Sequence, residues 1–222
     1  MSSYVLMRLL ESTPNRYDQG LRLLTRGALA QTYDRLVSHI SGGMSVLDLG
    51  CGTGALAFRA AARGAKVKGI DINVRMLDIA RQRAEQRGLS NQIVWCEMGV
   101  AELGAEPADS YDVVMSGLCF SELTEDEMAY ALKESHRLLK PFGLLLVADE
   151  VQPRRWFKQL PVWLLGLLLK FLTYLLTQKT TAAVKQLPAR VTRAGFKIES
   201  IRYNGMDSFV ELVGRKTTEY SE

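Results

Sequence analysis

Residues 46–54 read Val-Leu-Asp-Leu-Gly-Cys-Gly-Thr-Gly. A short apolar run ends there in glycines, and an alanine-rich stretch begins at once after them. The apolar run 45–49 has the length of a buried strand, and 55–62 reads as a helix closed by Gly64. Glycines between a strand and a helix let the backbone come close to a ligand at the carboxyl edge of a sheet. That one junction commits the chain to strands that cross over through helices.

The rest of the sequence agrees. Strands are expected at 66–71, 92–96, 111–116 and 144–148. Asn73 caps a helix that Gly88 ends. Thr124 caps another, running to about Leu139, with Glu125, Asp126 and Glu127 in its first turn, where the helix dipole favours acids. Pro141 and Gly143 break the chain before the fifth strand. Residues 4–40 read as helical, with breaks around 13–15 and at Gly27. A helix near 188–194, strands at 196–203 and 208–213 and an Asn204-Gly205 hairpin turn follow. Strands alternating with helices make an α/β fold. Its seven-stranded sheet should be mostly parallel with an antiparallel C-terminal strand and helices on both faces. Residues 1–222 read as one domain. It divides into an N-terminal helical segment (1–41), a core (42–150), an apolar helical insertion (151–180) and a C-terminal helix and hairpin (181–215).

Composition narrows the function classes. Of 222 residues, 47% are apolar and 23% charged, which excludes a disordered or collagenous chain. A net charge of +4 is too weak to argue for nucleic acid. Cys51, Cys96 and Cys119 form no CxxC pair, so no disulfide framework and no metal site is expected. The N-terminus has no signal-peptide pattern, and the expected compartment is cytoplasmic. Charge is segregated: residues 97–150 carry 12 acidic and 3 basic side chains, residues 151–206 carry 10 basic and 1 acidic. Two parts of the molecule should therefore face different surroundings.

Two carboxylates qualify the glycine loop. Asp71 ends the second strand, where a carboxylate can accept both hydroxyls of a ribose. Gly50, Gly52 and Ala55 satisfy a loose dinucleotide fingerprint, a weak signal. Asp48, two residues before the first glycine, argues against it. Its charge would repel a pyrophosphate and attract an ammonium group.

V-L-D-L-G-C-G-T-G, then G-I-D-I-N, Y-D-V-V-M-S and L-L-K-P-F-G-L-L-L-V resemble the class I S-adenosylmethionine-dependent methyltransferases, a Rossmann-like fold. Arg16-Tyr-Asp18 with Gly27 further resembles the ubiquinone/menaquinone-biosynthesis type. The resemblance implies S-adenosylmethionine as cofactor. It places Asp48, Gly50, Cys51 and Gly52 around the methionine half and Asp71 on the ribose. Ile72 would lie against adenine, Tyr17 would pack on the cofactor, and Ser116 and Gly117, past the fourth strand, would lie near the sulfonium. Tyr33-Asp34 is a rival for the Tyr17 role. Many relatives carry Gly-Asp-Ala after the third strand; here Val100 stands for that Asp, between Gly99 and Ala101. Adenine should then be held mainly by apolar contacts and main-chain groups near Ile72 and Ala101, beside Val100, with Glu102 left open as a substitute for the missing Asp. The opening residues and F-S-E-L-T-E-D-E bear a fainter resemblance to corrinoid protein-associated methyltransferases, which implies a corrinoid protein partner.

Methyl transfer from a sulfonium needs proximity, orientation and a dry site; a general base enters only if the acceptor must lose a proton. Glu122, after the fourth strand, is the candidate base. His39 and His136 read as structural. Residues 156–177 are strongly apolar, with Gly166, Lys170, Thr173 and Thr177 forming a narrow polar stripe. Interrupted by Lys170, the run is too short for a membrane span. Three readings stay open: a lid over the cofactor, an apolar wall for a small-molecule acceptor or a partner, and a helix making weak contact with a membrane surface through 154–179.

Overall fold

The computed structural model describes residues 28–152 and 183–217. The strands are β1 (Ser45–Leu49), β2 (Lys66–Asp71), β3 (Ile93–Glu97), β4 (Tyr111–Gly117), β5 (Leu139–Glu150), β6 (Phe196–Tyr203) and β7 (Phe209–Lys216). They form one sheet in the order β3-β2-β1-β4-β5-β7-β6. β1 to β5 run parallel. β7 runs antiparallel to both β5 and β6, so the expected sheet is present. β1 lies between β2 and β4, the point at which the strand order reverses. Crossovers leave to opposite sides there, and a crevice opens at the carboxyl ends of the strands.

The helices are α1 (Ala28–Val37), α2 (Ala55–Ala62), α3 (Val74–Gln86), α4 (Glu125–Leu138) and α5 (Leu187–Arg193). Burial on both faces explains the near-continuous apolar strands. Leu36 of α1 and Leu56 of α2 pack with Val46, Val113 and Met115 on one face. Leu132 of α4 and Val191 of α5 pack with Leu47, Leu49, Val114 and Val147 on the other. The two-residue alternation of β1 thus puts Asp48 on the α1/α2 face, in line with Val46.

The expected helix starts are in place. Asn73 Oδ1 accepts the N–H groups of Arg75 and Met76. Thr124 Oγ1 accepts the Glu127 N–H, and the Glu127 carboxylate accepts the Thr124 N–H in return. Each such cap is worth about 1 kcal/mol.

Two expectations need correction. Pro141 and Gly143 do not separate α4 from a later strand, because β5 already starts at Leu139. The register against β4 slips between Tyr111 and Val113, and Phe142 takes φ +63°. The proline and glycine mark a bulge within the strand. The last hairpin is also wider than a two-residue Asn-Gly turn. Asn204 N–H donates to Phe209 O, and Asn204 Oδ1 accepts from Ser208 and Phe209 N–H. The left-handed residue is Asp207, at φ 55°, not Gly205. Asn204 builds the loop with its side chain, which removes the need for a tight glycine turn.

Tyr17, the 1–27 part of the N-terminal segment and the whole 156–177 stretch lie outside the described residues. No helix among the described residues is long and apolar enough to cross a membrane.

Candidate functional site

The loop after β1 is built on left-handed glycines: Gly50, Gly52 and Gly54 have φ 62°, 51° and 87°. They serve different ends. A Cβ on Gly50 would lie 2.6 Å from Cys119 Sγ, so this glycine admits the chain that follows β4. A Cβ on Gly54 would lie 2.7 Å from Trp95, whose ring also fills the space over Gly69 and supports the loop from beneath. Nothing lies within 4 Å of the Cβ position at Gly52. Its backbone faces open space, as a ligand-binding turn requires.

Asp71, at the end of β2, holds the loop shut. Its Oδ2 accepts the Gly52 N–H at 2.8 Å, and Oδ1 accepts the Asn73 N–H at 2.8 Å. Each carboxylate oxygen keeps acceptor capacity for a ligand. Burial raises the Asp71 pKa, and the N–H groups of Asn73, Gly52 and Ile72 pull it partly back. Ile72, the next residue, is 76% exposed, an unusual state for so apolar a side chain. Its Cγ2 would touch a Cβ built on Gly99 at 3.2 Å, so it stands beside the chain after β3.

Asp48 is 1% exposed. The register sets it between Gly69 of β2 and Met115 of β4. Burial raises its pKa well above the usual carboxylate range; the Ala57 N–H in the first turn of α2 opposes this, and the Asp71 charge adds to it. Its Oδ2 has no hydrogen-bond partner among the described residues. A buried carboxyl oxygen left so costs a few kcal/mol, which a donor or cation entering the crevice would recover.

The neighbouring segment departs from expectation. Ser116 and Gly117 belong to β4 itself and do not lie past it. Ser116 is fully buried and lies in register with Leu49 and Val147, on the α4/α5 face away from Asp48. Gly117 is on the Asp48 side, where a Cβ would lie 2.5 Å from the Tyr33 hydroxyl. Buried Tyr33 thus reaches the carboxyl edge from α1, while Asp34 turns outward to Arg59 at 2.7 Å. Val100 opens a short 3-10 turn (Val100–Ala105) and is buried; Ala101 is exposed. Glu102 Oε2 accepts the Gly99 N–H at 2.7 Å, which commits its carboxylate to closing that turn.

Sequence reasoning missed Asp149 and Glu150. Asp149 is fully buried; its Oδ2 accepts the N–H groups of Phe120 at 2.8 Å and Ser121 at 3.3 Å, and its Oδ1 accepts that of Glu150 at 2.7 Å. Burial pushes its pKa up to about 6 against these donors. The chain it pins includes Leu118, at φ +63°, and Cys119. A left-handed leucine costs on the order of 1 kcal/mol, so the segment is held and does not merely settle there. Glu150 ends β5 with a pKa pushed up to about 7, by burial first and by the Asp149 charge second. An acid at the end of a strand is the pattern that flagged Asp71, and it was the available signal. Glu122 ends a second 3-10 turn (Phe120–Glu122) and is exposed. Burial raises both thiols beside the crevice, helped by Asp48 and Asp71 at Cys51 and by Asp149 and Glu122 at Cys119. Neither is a ready nucleophile. His136 packs edge-on against Phe196 at 5.3 Å, as a structural histidine should.

A methyltransferase domain model matches residues 46–143. A demethylmenaquinone methyltransferase from Lactiplantibacillus plantarum is 32% identical over 176 residues, which cover 72% of this chain and 73% of that protein. The chain belongs to the class I S-adenosylmethionine-dependent methyltransferases, of the ubiquinone/menaquinone-biosynthesis type. The ubiquinone/menaquinone biosynthesis C-methyltransferase UbiE of Rhizobium leguminosarum is 32% identical over 149 residues, 64% of this chain and 57% of that protein. The chain spans about half the length of the first curated relatives it matches. An O-methyltransferase family protein from Burkholderia thailandensis superposes with a TM-score of 0.71 at 16% identity, covering 92% of this chain and 59% of that one. At that identity the likeness speaks for the fold. The matched methyltransferase span runs from β1 into β5. It takes in the glycine loop, Asp71 and Gly117 but ends before Asp149 and Glu150.

Proposed function

We propose that the protein transfers a methyl group from S-adenosylmethionine to a small acceptor of the hydroxylated-ring class. The carrying observation is the buried Oδ2 of Asp48, without a hydrogen-bond partner among the described residues, beside an open glycine turn. The methionine ammonium supplies the cation that Asp48 lacks, directly or through water. Asp71 takes the ribose hydroxyls while keeping Gly52 in place, and Ile72, Val100 and Ala101 offer adenine an apolar seat. Glu102 Oε2 already accepts the Gly99 N–H, which favours apolar and main-chain contacts to adenine over that carboxylate. The Tyr33 hydroxyl, over Gly117, is placed to pack on the cofactor, the role for which Tyr33 and Tyr17 are rivals. Bound there, S-adenosylmethionine supplies an activated methyl on a sulfonium, so the chain's task is to orient it and exclude water.

The acceptor class rests on the relatives, which are named for demethylmenaquinone methylation and ubiquinone/menaquinone biosynthesis. The apolar 156–177 stretch suits the wall of such an acceptor's site. The corrinoid partner rests on sequence likeness alone. The test is production of S-adenosylhomocysteine by the full chain with a short-chain demethylmenaquinol as acceptor. Turnover above the acceptor-free rate is expected. Tight cofactor binding without turnover on this or any simpler ring acceptor would point instead to a cofactor-binding sensor.

A further inference from the structure

We propose, building on the methyltransferase reading, that Glu150 is the base that takes the proton from the acceptor's hydroxyl. On the α1/α2 face the carboxyl edge presents Asp71 on β2, Asp48 and Gly50 on and after β1, and Gly117 under the Tyr33 hydroxyl on β4. Glu150 follows on β5, in alternation with Leu146 and Ala148 of the same face and opposite Phe209 of β7, which packs against that cluster. Ribose, methionine and transferable methyl would therefore lie over β2, β1 and β4 in turn. The acceptor takes the next place, over β5. Gly117 pairs with Ala148, so with strands about 4.8 Å apart and about 3.3 Å per residue Glu150 stands one strand over from Gly117 and two residues further out along β5, about 8 Å from it and roughly 16 Å from Asp71. It is beside the reacting atoms and clear of the nucleoside.

Its chemistry fits the place. Asp149 is fully occupied by three N–H donors and turns to the other face. The Glu150 carboxylate accepts no hydrogen bond among the described residues, although its backbone N–H and C=O are both used. Half-buried and next to the Asp149 charge, it holds a proton far more readily than an ordinary glutamate. Exposed Glu122 lacks that surrounding. Among the described residues, the other titratable or charged groups on the elements packed about Glu150 are Tyr33 and the Arg35–Glu211 ion pair from α1 and β7, Cys119 and Glu122 after β4, and Lys185 beside the Val151–Val184 bridge.

The step balances. The acceptor O–H bond breaks and its proton passes to Glu150. The electron pair, delocalised into the ring, forms the bond to the methyl carbon. The carbon–sulfur bond breaks with its pair left on sulfur. For attack from carbon, the ring then loses its own hydrogen and the oxygen regains one, so that one proton is released to solvent overall.

The test compares the full chain with Glu150→Gln on two acceptors: a short-chain demethylmenaquinol, and 4-nitrocatechol at mildly alkaline pH, where its hydroxyl is already ionised. Glu150→Gln should bind S-adenosylmethionine within about twofold of wild type, since no cofactor contact is removed. It should lose at least about 100-fold in kcat on the quinol and less than about tenfold on the ionised catechol. The acidic limb of the wild-type quinol profile, near pH 7, should vanish in the variant. Equal losses on both acceptors, or an unchanged limb, would overturn the proposal. If the variant does not fold, wild type decides: the limb must appear with the quinol and be absent with the ionised catechol. If wild type methylates neither while binding the cofactor, the methyltransferase reading fails first and Glu150 loses its role with it.

Discussion

The loops after β1 and after β4 meet where Cys119 crosses Gly50, and the same device holds both. In each, a carboxylate at the end of the neighbouring strand accepts backbone N–H groups from the loop. Asp71 of β2 takes the Gly52 N–H, and Asp149 of β5 takes those of Phe120 and Ser121. Their surroundings differ. The first loop turns through glycines and faces open space, and its carboxylate is only partly buried. The second passes through a left-handed leucine, and its carboxylate is fully enclosed. An anchor that keeps acceptor capacity facing a crevice can also bind a ligand; an enclosed one only positions its loop. On the proposed reading, the first loop is a nucleoside clamp and the second a frame that fixes where the acceptor meets the methyl.

The contact between the loops should be the most sensitive point. Gly50→Ala forces a Cβ to 2.6 Å from Cys119 Sγ at φ 62°. About 2–4 kcal/mol of stability should be lost in urea unfolding, and cofactor affinity should fall by more than about 100-fold. A well-folded variant with unchanged calorimetric affinity would show that the loops do not depend on each other.

Next come the two anchors, which should part by readout. Asp149→Ala leaves the buried Phe120 N–H without an acceptor and should cost about 2 kcal/mol of stability. Asp71→Ala should chiefly cost binding, about 1.5–3 kcal/mol or some 10- to 150-fold in affinity. If each variant lost both properties equally, the division between clamp and frame would be wrong.

A pH titration sharpens the same contrast. The Asp149 pKa rises from 3.8 to about 6 on folding, so the folded state binds its proton more tightly. The resulting penalty is absent below pH 3.8, grows through the interval to 6 and is complete above it. Asp149→Asn abolishes it. The stability of that variant relative to wild type should therefore climb, by on the order of 3 kcal/mol, across the same interval. A flat difference curve would remove the buried charge from the account.

The smallest effect is expected at Gly52→Ala. Nothing lies within 4 Å of the new methyl, so the cost reduces to backbone strain at φ 51°, about 1 kcal/mol. A larger stability loss than Gly50→Ala would invert the assignment of the open and the packed glycine.

Much of this was legible in the residues. Periodicity placed seven strands and the described helices because each buries a face its own sequence dictates. Asn73, Thr124, Asp48 and Asp71 were readable because a cap or a strand-end carboxylate acts on backbone a few residues away or on a ligand next to it. The errors had local causes. Pro141 and Gly143 are ordinary breakers, and only pairing with β4 turned them into a bulge. Asn204-Gly205 is an ordinary turn until the Asn204 side chain takes over the hydrogen bonds.

The sequence by itself determined the alternation of strands and helices, the glycine turn and the acid that closes it, since each is a property of a short stretch of chain. Only the tertiary structure decided that Tyr33 covers Gly117, that Cys119 sits on Gly50, that Ser116 faces away, and which helices cover the two faces to which Asp149 and Glu150 point. Those facts depend on which strands become neighbours and in what register. The long-range packing of two apolar faces sets that register, and no single segment encodes it.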